Sequence, residues 1–212
     1  MQENKSLKDW LFYEKEALSE GFQQICGIDE VGRGPLAGPV FASAVILPVG
    51  CVIPGVNDSK KLLPKKREEL FAIIKTKAVG WAVGFATEQE IDQINILQAT
   101  FLAMRRAVEA LPTKPDLALV DGNRTPFLGD GIKVRTIVKG DGSSESIAAA
   151  SIMAKVSRDR LMIKLDELYP EYGFMRNKGY GTAEHVKALL QYGPCPIHRT
   201  SFLKRILGEP NG

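Results

Sequence analysis

Apolar residues along this chain follow two rhythms. Short unbroken runs have the length and the Val, Ile and Ala content of buried strands: Ile25-Cys26-Gly27-Ile28-Asp29, Val40 to Leu47, Val79 to Ala86, Leu117-Ala118-Leu119-Val120-Asp121 and Val134 to Val138. Gly and Pro punctuate them. Gly32-Arg33-Gly34-Pro35-Leu36-Ala37-Gly38 stops the first run, and Pro115 and Gly122 flank the fourth. Between the runs the spacing turns helical. After a polar turn at Asn57-Asp58-Ser59, Pro64 opens a helix whose inward face is Leu70, Ile73 and Ile74. Thr87-Glu88-Gln89-Glu90 has the form of a capping box, and Ile94 to Leu111 continues as helix. Ile147 to Leu168 forms a long helix with a small early face, Ala148, Ala149, Ala150, Ser151 and Ala154, suited to lying close on a sheet. Thr182 to Tyr192 closes the pattern as a final amphipathic helix, with Val186, Leu189 and Leu190 inward. The first 20 residues read as an amphipathic arm built on Leu7, Trp10, Leu11, Tyr13 and Leu18.

Three strands, helices, two strands and more helices predict an α/β fold, a mixed five-stranded sheet flanked by helices. No linker of domain-separating length interrupts the 212 residues. We expect one structural unit with three parts: an arm over residues 1–20, a sheet-bearing core over 21–170, and a basic helical segment over 171–212.

Composition narrows the picture only slightly. The chain is 44% hydrophobic and 25% charged, with a net charge of +3, which suits a soluble domain and permits a nucleic-acid partner. Cys26, Cys51 and Cys195 are odd in number, widely spaced and lack a C-x-x-C pair, so neither a disulfide framework nor a zinc site is expected. Met1 to Lys8 carries no apolar signal region, and no apolar run approaches the ~18 residues of a membrane span. A cytoplasmic monomer with no membrane contact is the expectation.

Acidic residues recur where strands end. Asp29 and Glu30 close the first, Asp121 the fourth, and Asp141 follows the fifth after Lys139-Gly140. Carboxylates at adjacent strand ends converge, and several held together need a cation. Oxygen-only ligands select a hard ion, Mg²⁺ or Mn²⁺. Two such ions suit in-line phosphoryl displacement. The plainer reading is that each Asp is a turn former. Neighbours such as Asp29 and Glu30 also point to opposite faces of a regular strand, unless the strand ends or twists at the glycines that follow.

Gly32-Arg33-Gly34 lets backbone N–H groups approach a phosphate or sugar hydroxyl. The dinucleotide pattern G-x-G-x-x-G is not met, because Gly38 comes one residue late and Pro35 and Pro39 precede a strand instead of a helix. Cations cluster at Lys60-Lys61 with Lys65-Lys66-Arg67, Arg105-Arg106, Arg158 with Arg160, Arg176 with Lys178, His198-Arg199 and Lys204-Arg205. They are backbone-binding groups or solvated faces. Tyr180, between Gly179 and Gly181, is placed to stack on a sugar or base, or to pack as a loop tyrosine. His185 and His198 complete no Ser-His-Asp set.

Taken in order, these motifs resemble those of the ribonuclease HII family, the type 2 ribonucleases H. The segment from Gly27 to Val40 matches the family's opening motif. Val120-Asp121-Gly122, Lys139-Gly140-Asp141, the helix from Ile147 to Val156, and Lys178-Gly179-Tyr180-Gly181-Thr182 match the next ones. His198-Arg199-Thr200-Ser201-Phe202 resembles the bacterial C-terminal motif. The resemblance runs from about Ile25 to Phe202 and leaves the arm uncovered. It implies an RNase H-like fold, with residues 21–170 as catalytic domain and 171–212 as substrate-binding segment. It implies that Asp29, Glu30, Asp121 and Asp141 bind Mn²⁺ or Mg²⁺ and carry catalysis. It implies that Gly32, Arg33 and Gly34 read a ribose 2′-hydroxyl, that Tyr180 stacks on the adjacent sugar, and that Ser59, Lys60 and Lys61 meet phosphate. The implied substrates are RNA–DNA hybrids and duplex DNA containing ribonucleotides, cut to 5′-phosphate and 3′-hydroxyl ends. The implied role is removing misincorporated ribonucleotides and RNA primers. A sliding-clamp peptide is not evident. Two other classes stay open: a catalytically weak nucleic-acid-binding module on the same fold, and a nucleotide-cofactor enzyme using the glycine loop.

Overall fold

The computed structural model describes residues 9–208. Leu7 of the predicted arm lies outside the described residues. The five expected strands form one sheet: β1 (Ile25–Val31), β2 (Val40–Ile46), β3 (Gly80–Ala86), β4 (Leu117–Asp121) and β5 (Lys133–Ile137), in the order β3-β2-β1-β4-β5. β1–β2 and β2–β3 pair antiparallel, and β1–β4 and β4–β5 pair parallel. The sheet is therefore mixed. β1, β3, β4 and β5 all point the same way, and their C-terminal ends share one edge.

Both faces are buried. The helix α3 (Glu88–Glu109) covers one, over Cys26, Ile28, Ala42, Ala44, Ala118 and Val120. The helices α2 (Pro64–Lys77) and α4 (Glu145–Leu168) cover the other. Gly27 on β1 and Gly84 on β3 mark where helix backbone touches sheet. A Cβ on Gly27 would collide with the Ser146–Ile147 backbone of α4, and one on Gly84 with the Ala103 and Arg106–Ala107 backbone of α3. The small α4 face read from the sequence, Ala148 to Ser151 and Ala154, is buried.

The capping box is present: Glu90 N–H donates to Thr87 Oγ1 (3.2 Å) and Thr87 N–H to Glu90 Oε2 (2.9 Å). Helix therefore begins at Glu88, ahead of Ile94. It breaks once at Asn95 (φ 66°), whose side-chain oxygen then accepts from Leu97 and Gln98 N–H and recaps the helix. The arm folds as α1 (Phe12–Ser19), with Ala17 buried and Trp10, Tyr13 and Leu18 partly so. Glu14 of α1 accepts from the Ser144 hydroxyl (2.6 Å) and the Ser146 hydroxyl (2.7 Å), clamping the start of α4.

The helical faces need three corrections. Ile73 is exposed while Phe71 is buried, because α2 meets the sheet through Leu70, Phe71 and Ile74. In α6 (Ala183–Tyr192) the inward positions are His185, Ala188 and Leu189; Val186 is half-buried and Leu190 is 63% exposed. Nor is α6 the last helix, since α7 (Thr200–Leu207) follows it and buries Leu203. A four-residue helix, α5 (Phe174–Asn177), precedes the Tyr180 loop. No helix among the described residues is long and apolar enough to cross a membrane.

Candidate active site

The shared edge of the sheet gathers the acidic residues. Ile28 pairs with Val120 across β1 and β4, so Asp29 and Asp121 follow at the same level on neighbouring strands. Beyond β5 the chain closes a 3₁₀ turn, Gly140–Gly142, which places Asp141 over the same edge. That turn is held by Asp121, whose Oδ1 accepts from the N–H of Gly140 (2.7 Å) and of Asp141 (3.5 Å). On β1, Asp29 lies on the α4 face and is buried. Glu30 alternates to the other face, as the strand geometry demands, yet its partly exposed carboxylate still feels Asp121.

The electrostatics show how tightly these groups are placed. Burial, then the charges of Glu30, Asp121 and Asp141, push the Asp29 carboxyl well above its usual range, with the Ser151 hydroxyl acting the other way. Burial also raises Glu30, against the pull of Arg33, whose Nη1 lies 3.3 Å from Glu30 Oε1. Asp121 is raised by burial and by Asp141, and the Gly140 and Asp141 N–H groups moderate the rise. Among the described residues, no group of three or more His, Cys, Asp or Glu side chains has the arrangement of a ready-made metal cage. The carboxylates sense one another across the edge without being closed around one point. Carboxylates that repel in this way are the ones a cation would draw together. The donor set is oxygen only, with no His or Cys in it, which fits a hard divalent ion.

One cation of the protein already reaches in. Lys60, on the 3₁₀ turn Ser59–Lys61, points Nζ to within 3.5 Å of Asp141 Oδ2. Although partial burial works against it, the charges of Asp29, Asp141 and Asp58 hold the Lys60 ammonium above its ordinary range. Lys61 is exposed, 3.7 Å from Asp58. Ser59 is buried, and its hydroxyl pairs with that of Ser151 on α4 (2.8 Å). The Ser59 hydroxyl is therefore committed to the interior. Arg67 fastens the same turn by donating to the Ser59 and Leu62 carbonyls.

The glycine loop runs directly on from Glu30. Tyr180 is 42% exposed, and a Cβ on Gly34 would stand 3.7 Å from its ring, so residues 146 positions apart form one surface. The two segments are also bonded: Leu36 N–H donates to the Gly179 carbonyl (2.8 Å), and the positive φ of Gly179 (84°) lets it lie against the Ala37 carbonyl without a side chain between.

Two cations read from the sequence as backbone-binding candidates are not at the surface. Arg158 and Arg199 are both 0% exposed, and their guanidinium groups bond carbonyls of the glycine loop. For Arg158 the signal was legible: it lies four residues after Ala154 and four before Met162, on the buried stripe of α4. Nothing local marks Arg199. The two histidines bond each other through Nε2 (3.0 Å), in a buried chain from the Tyr180 carbonyl through His185 and His198 to Cys195. Burial first, and then each other's proximity, lowers His198 to about 4. Both imidazoles are thus structural, beneath the loop that carries Tyr180.

Comparison with known proteins places this architecture. The family model described as Ribonuclease HII matches residues 26–205. Ribonuclease HII of Caldicellulosiruptor saccharolyticus is 55% identical over 194 residues, covering 92% of this chain and 94% of that protein. Ribonuclease HII of Geobacter sulfurreducens is 55% identical over 199 residues, covering 93% and 91%. Among solved structures, ribonuclease H2 from Pyrococcus horikoshii superposes with a TM-score of 0.72 at 30% identity, covering 87% of this chain and 97% of that one. A ribonuclease HIII crystallised with Mn²⁺, termed Bst-RNase HIII, shares the fold at a TM-score of 0.64 and 16% identity, covering 90% and 71%.

Proposed function

The chain belongs to the ribonuclease HII family and is a metal-dependent endoribonuclease acting on the RNA of RNA–DNA hybrids; beyond that, we propose that it also cuts on the 5′ side of single ribonucleotides embedded in duplex DNA, leaving 5′-phosphate and 3′-hydroxyl ends. The observation that carries this reading is the meeting of Gly34 and Tyr180 beside the carboxylate edge. A reader of one sugar stands next to the groups that would cut beside it.

Asp29, Glu30, Asp121 and Asp141 would hold Mg²⁺ or Mn²⁺. When bound, a pair of such ions supplies activation of water and stabilisation of the leaving oxygen in an in-line phosphoryl displacement. The protein's own part is positional. The Ser151 hydroxyl and burial orient Asp29, and the Gly140 N–H fixes one oxygen of Asp121. Lys60 supplies a positive charge beside Asp141 that can pass to a substrate phosphate, with Lys61 and the turn at Ser59 alongside it. Gly32, Arg33 and Gly34 offer backbone groups to the 2′-hydroxyl, the atom that separates RNA from DNA. Tyr180 stacks on the neighbouring sugar. Residues 171–212 act as the substrate-binding segment through this loop. We read the protein as a cytoplasmic monomer.

The test is duplex DNA with one ribonucleotide, incubated with Mg²⁺ or Mn²⁺. Wild type should nick it on the 5′ side of the ribonucleotide, and Asp121→Asn should abolish the nick. Binding without cleavage by wild type would favour a catalytically weak binding module. Equal rates for both proteins would refute the role given to the carboxylates.

A further inference from the structure

The loop from Gly32 to Pro39 joins β1 to β2, and its carbonyls are taken up by two guanidinium groups. Arg199, at the start of α7, donates Nε to Gly38 (2.9 Å), Nη1 to Arg33 (3.0 Å) and Nη2 to both Gly32 and Gly38 (2.6 Å each). Arg158, in the middle of α4, donates Nε to Pro39 (3.0 Å), Nη2 to Ala37 (3.1 Å) and Nη1 across to Lys178 (2.8 Å). Among the described residues neither arginine forms an ion pair; burial works against both charges, and the charge of Arg158 against Arg199, with Asp159 and Glu88 opposing through space at Arg158 and Glu88 at Arg199. A buried charge without an ion-pair partner is costly, and an apolar side chain would fill the same volume. What an apolar side chain cannot do is fix the direction of a carbonyl.

That direction matters for the reading edge. In a planar trans peptide the C=O of one residue and the N–H of the next point opposite ways, and every peptide here is trans. With the Gly32 and Arg33 carbonyls drawn inward to Arg199, the N–H groups of Arg33 and Gly34 are turned away from it. Neither has an acceptor among the described residues.

We propose that Arg199 is a specificity-determining positioning residue: by gripping the Gly32 and Arg33 carbonyls it presents the Arg33 and Gly34 N–H groups to the ribose 2′-hydroxyl. This rests on the 2′-hydroxyl reading proposed above. Lysine cannot replace it, because an ammonium is a point charge and lacks the planar fork that spans three carbonyls. Arg158 packs directly against Gly32 but hydrogen-bonds the carbonyl of neither Gly32 nor Arg33, and so separates contact with the loop from control of those two carbonyls.

The experiment measures binding by the full chain carrying Asp121→Asn, without added divalent metal, so that the duplex stays intact. Two duplexes are compared, one with a single ribonucleotide and the same sequence in all-DNA form. The Asp121→Asn protein should prefer the ribonucleotide duplex. Adding Arg199→Lys should reduce that preference by roughly tenfold, the order expected for one or two hydrogen bonds to a hydroxyl, with all-DNA affinity unchanged. Adding Arg158→Lys should lower the melting temperature and keep the preference. A preference retained with Arg199→Lys, or lost equally with Arg158→Lys, overturns the assignment. No preference in the Asp121→Asn protein itself overturns the underlying reading instead. Amide exchange needs no change at Arg199 and therefore keeps the proposal refutable even where Arg199→Lys does not fold, because the proposal requires these two N–H groups to meet the hydroxyl. The ribonucleotide duplex, and not the all-DNA duplex, should slow exchange at Arg33 and Gly34; equal protection by both overturns the proposal.

Discussion

Replacing Gly27 by alanine adds one methyl group at the point where the sheet carries the active edge. The added Cβ would lie more than 1 Å inside the 3.4 Å at which ordinary contact begins, and its three nearest atoms are all backbone, from Ser146 and Ile147. Over-packing costs about 1–3 kcal/mol when side chains can adjust. Backbone at the start of α4 cannot rotate aside, so the helix must retreat from β1 and open a gap along the Ile25, Leu117, Leu119 and Ile147 layer. The cost should therefore reach at least about 3 kcal/mol, at the top of that range. For a chain of this size that is a fall in melting temperature of roughly 6–12 °C. Activity should fall further than stability, because α4 also carries Ser151, which pairs with Ser59 and stands beside Asp29. Calorimetry and a cleavage assay well below the melting temperature measure the two effects. Gly142→Ala is the stability control, since a Cβ there meets nothing within 4 Å. If Gly27→Ala melts within about 2 °C of wild type and cuts at the wild-type rate, the contact does not set the α4–sheet distance.

Burial pushes the Glu145 carboxyl up to about 7, with the Ile53 N–H opposing and the charge of Glu14 adding to the rise. A raised folded value means that its stabilisation is full below the unfolded value of about 4.5 and is lost as pH rises through about 7. Glu145→Gln should flatten the stability curve between about pH 4.5 and 7, by at most about 3 kcal/mol; parallel melting curves for the two proteins would count against it. Tyr180→Ala should slow cutting at a single ribonucleotide by roughly tenfold, at the lower end of the ~1–3 kcal/mol measured for stacking on an aromatic. Melting temperature and Mn²⁺ binding should not change, and an unchanged cutting rate would remove the stacking role.

Much of this protein is legible along the chain. Five strands, the capping box at Thr87, the small face of α4 and the strand-end carboxylates follow from local periodicity and residue chemistry, which act over a few neighbouring positions. The ordered motifs carried the family resemblance. Local pattern failed where two faces compete. Ile73 and Leu190 have helical spacing suited to burial, yet the packing partner took the adjacent stripe. Asn95 looks like any polar helical residue until its left-handed backbone breaks and recaps α3.

The sequence by itself determined the strands, the carboxylates at their ends and the glycine loop, because strand period, turn chemistry and ligand type are properties of neighbouring residues. Tertiary structure decided which distant groups meet: Gly34 with Tyr180, Lys60 with Asp141, and Arg199 with the carbonyls of Gly32 and Arg33. An arginine has the same formula on a solvated face as in a sealed interior. Only the packing around it determines whether its charge meets a phosphate or holds a loop in shape.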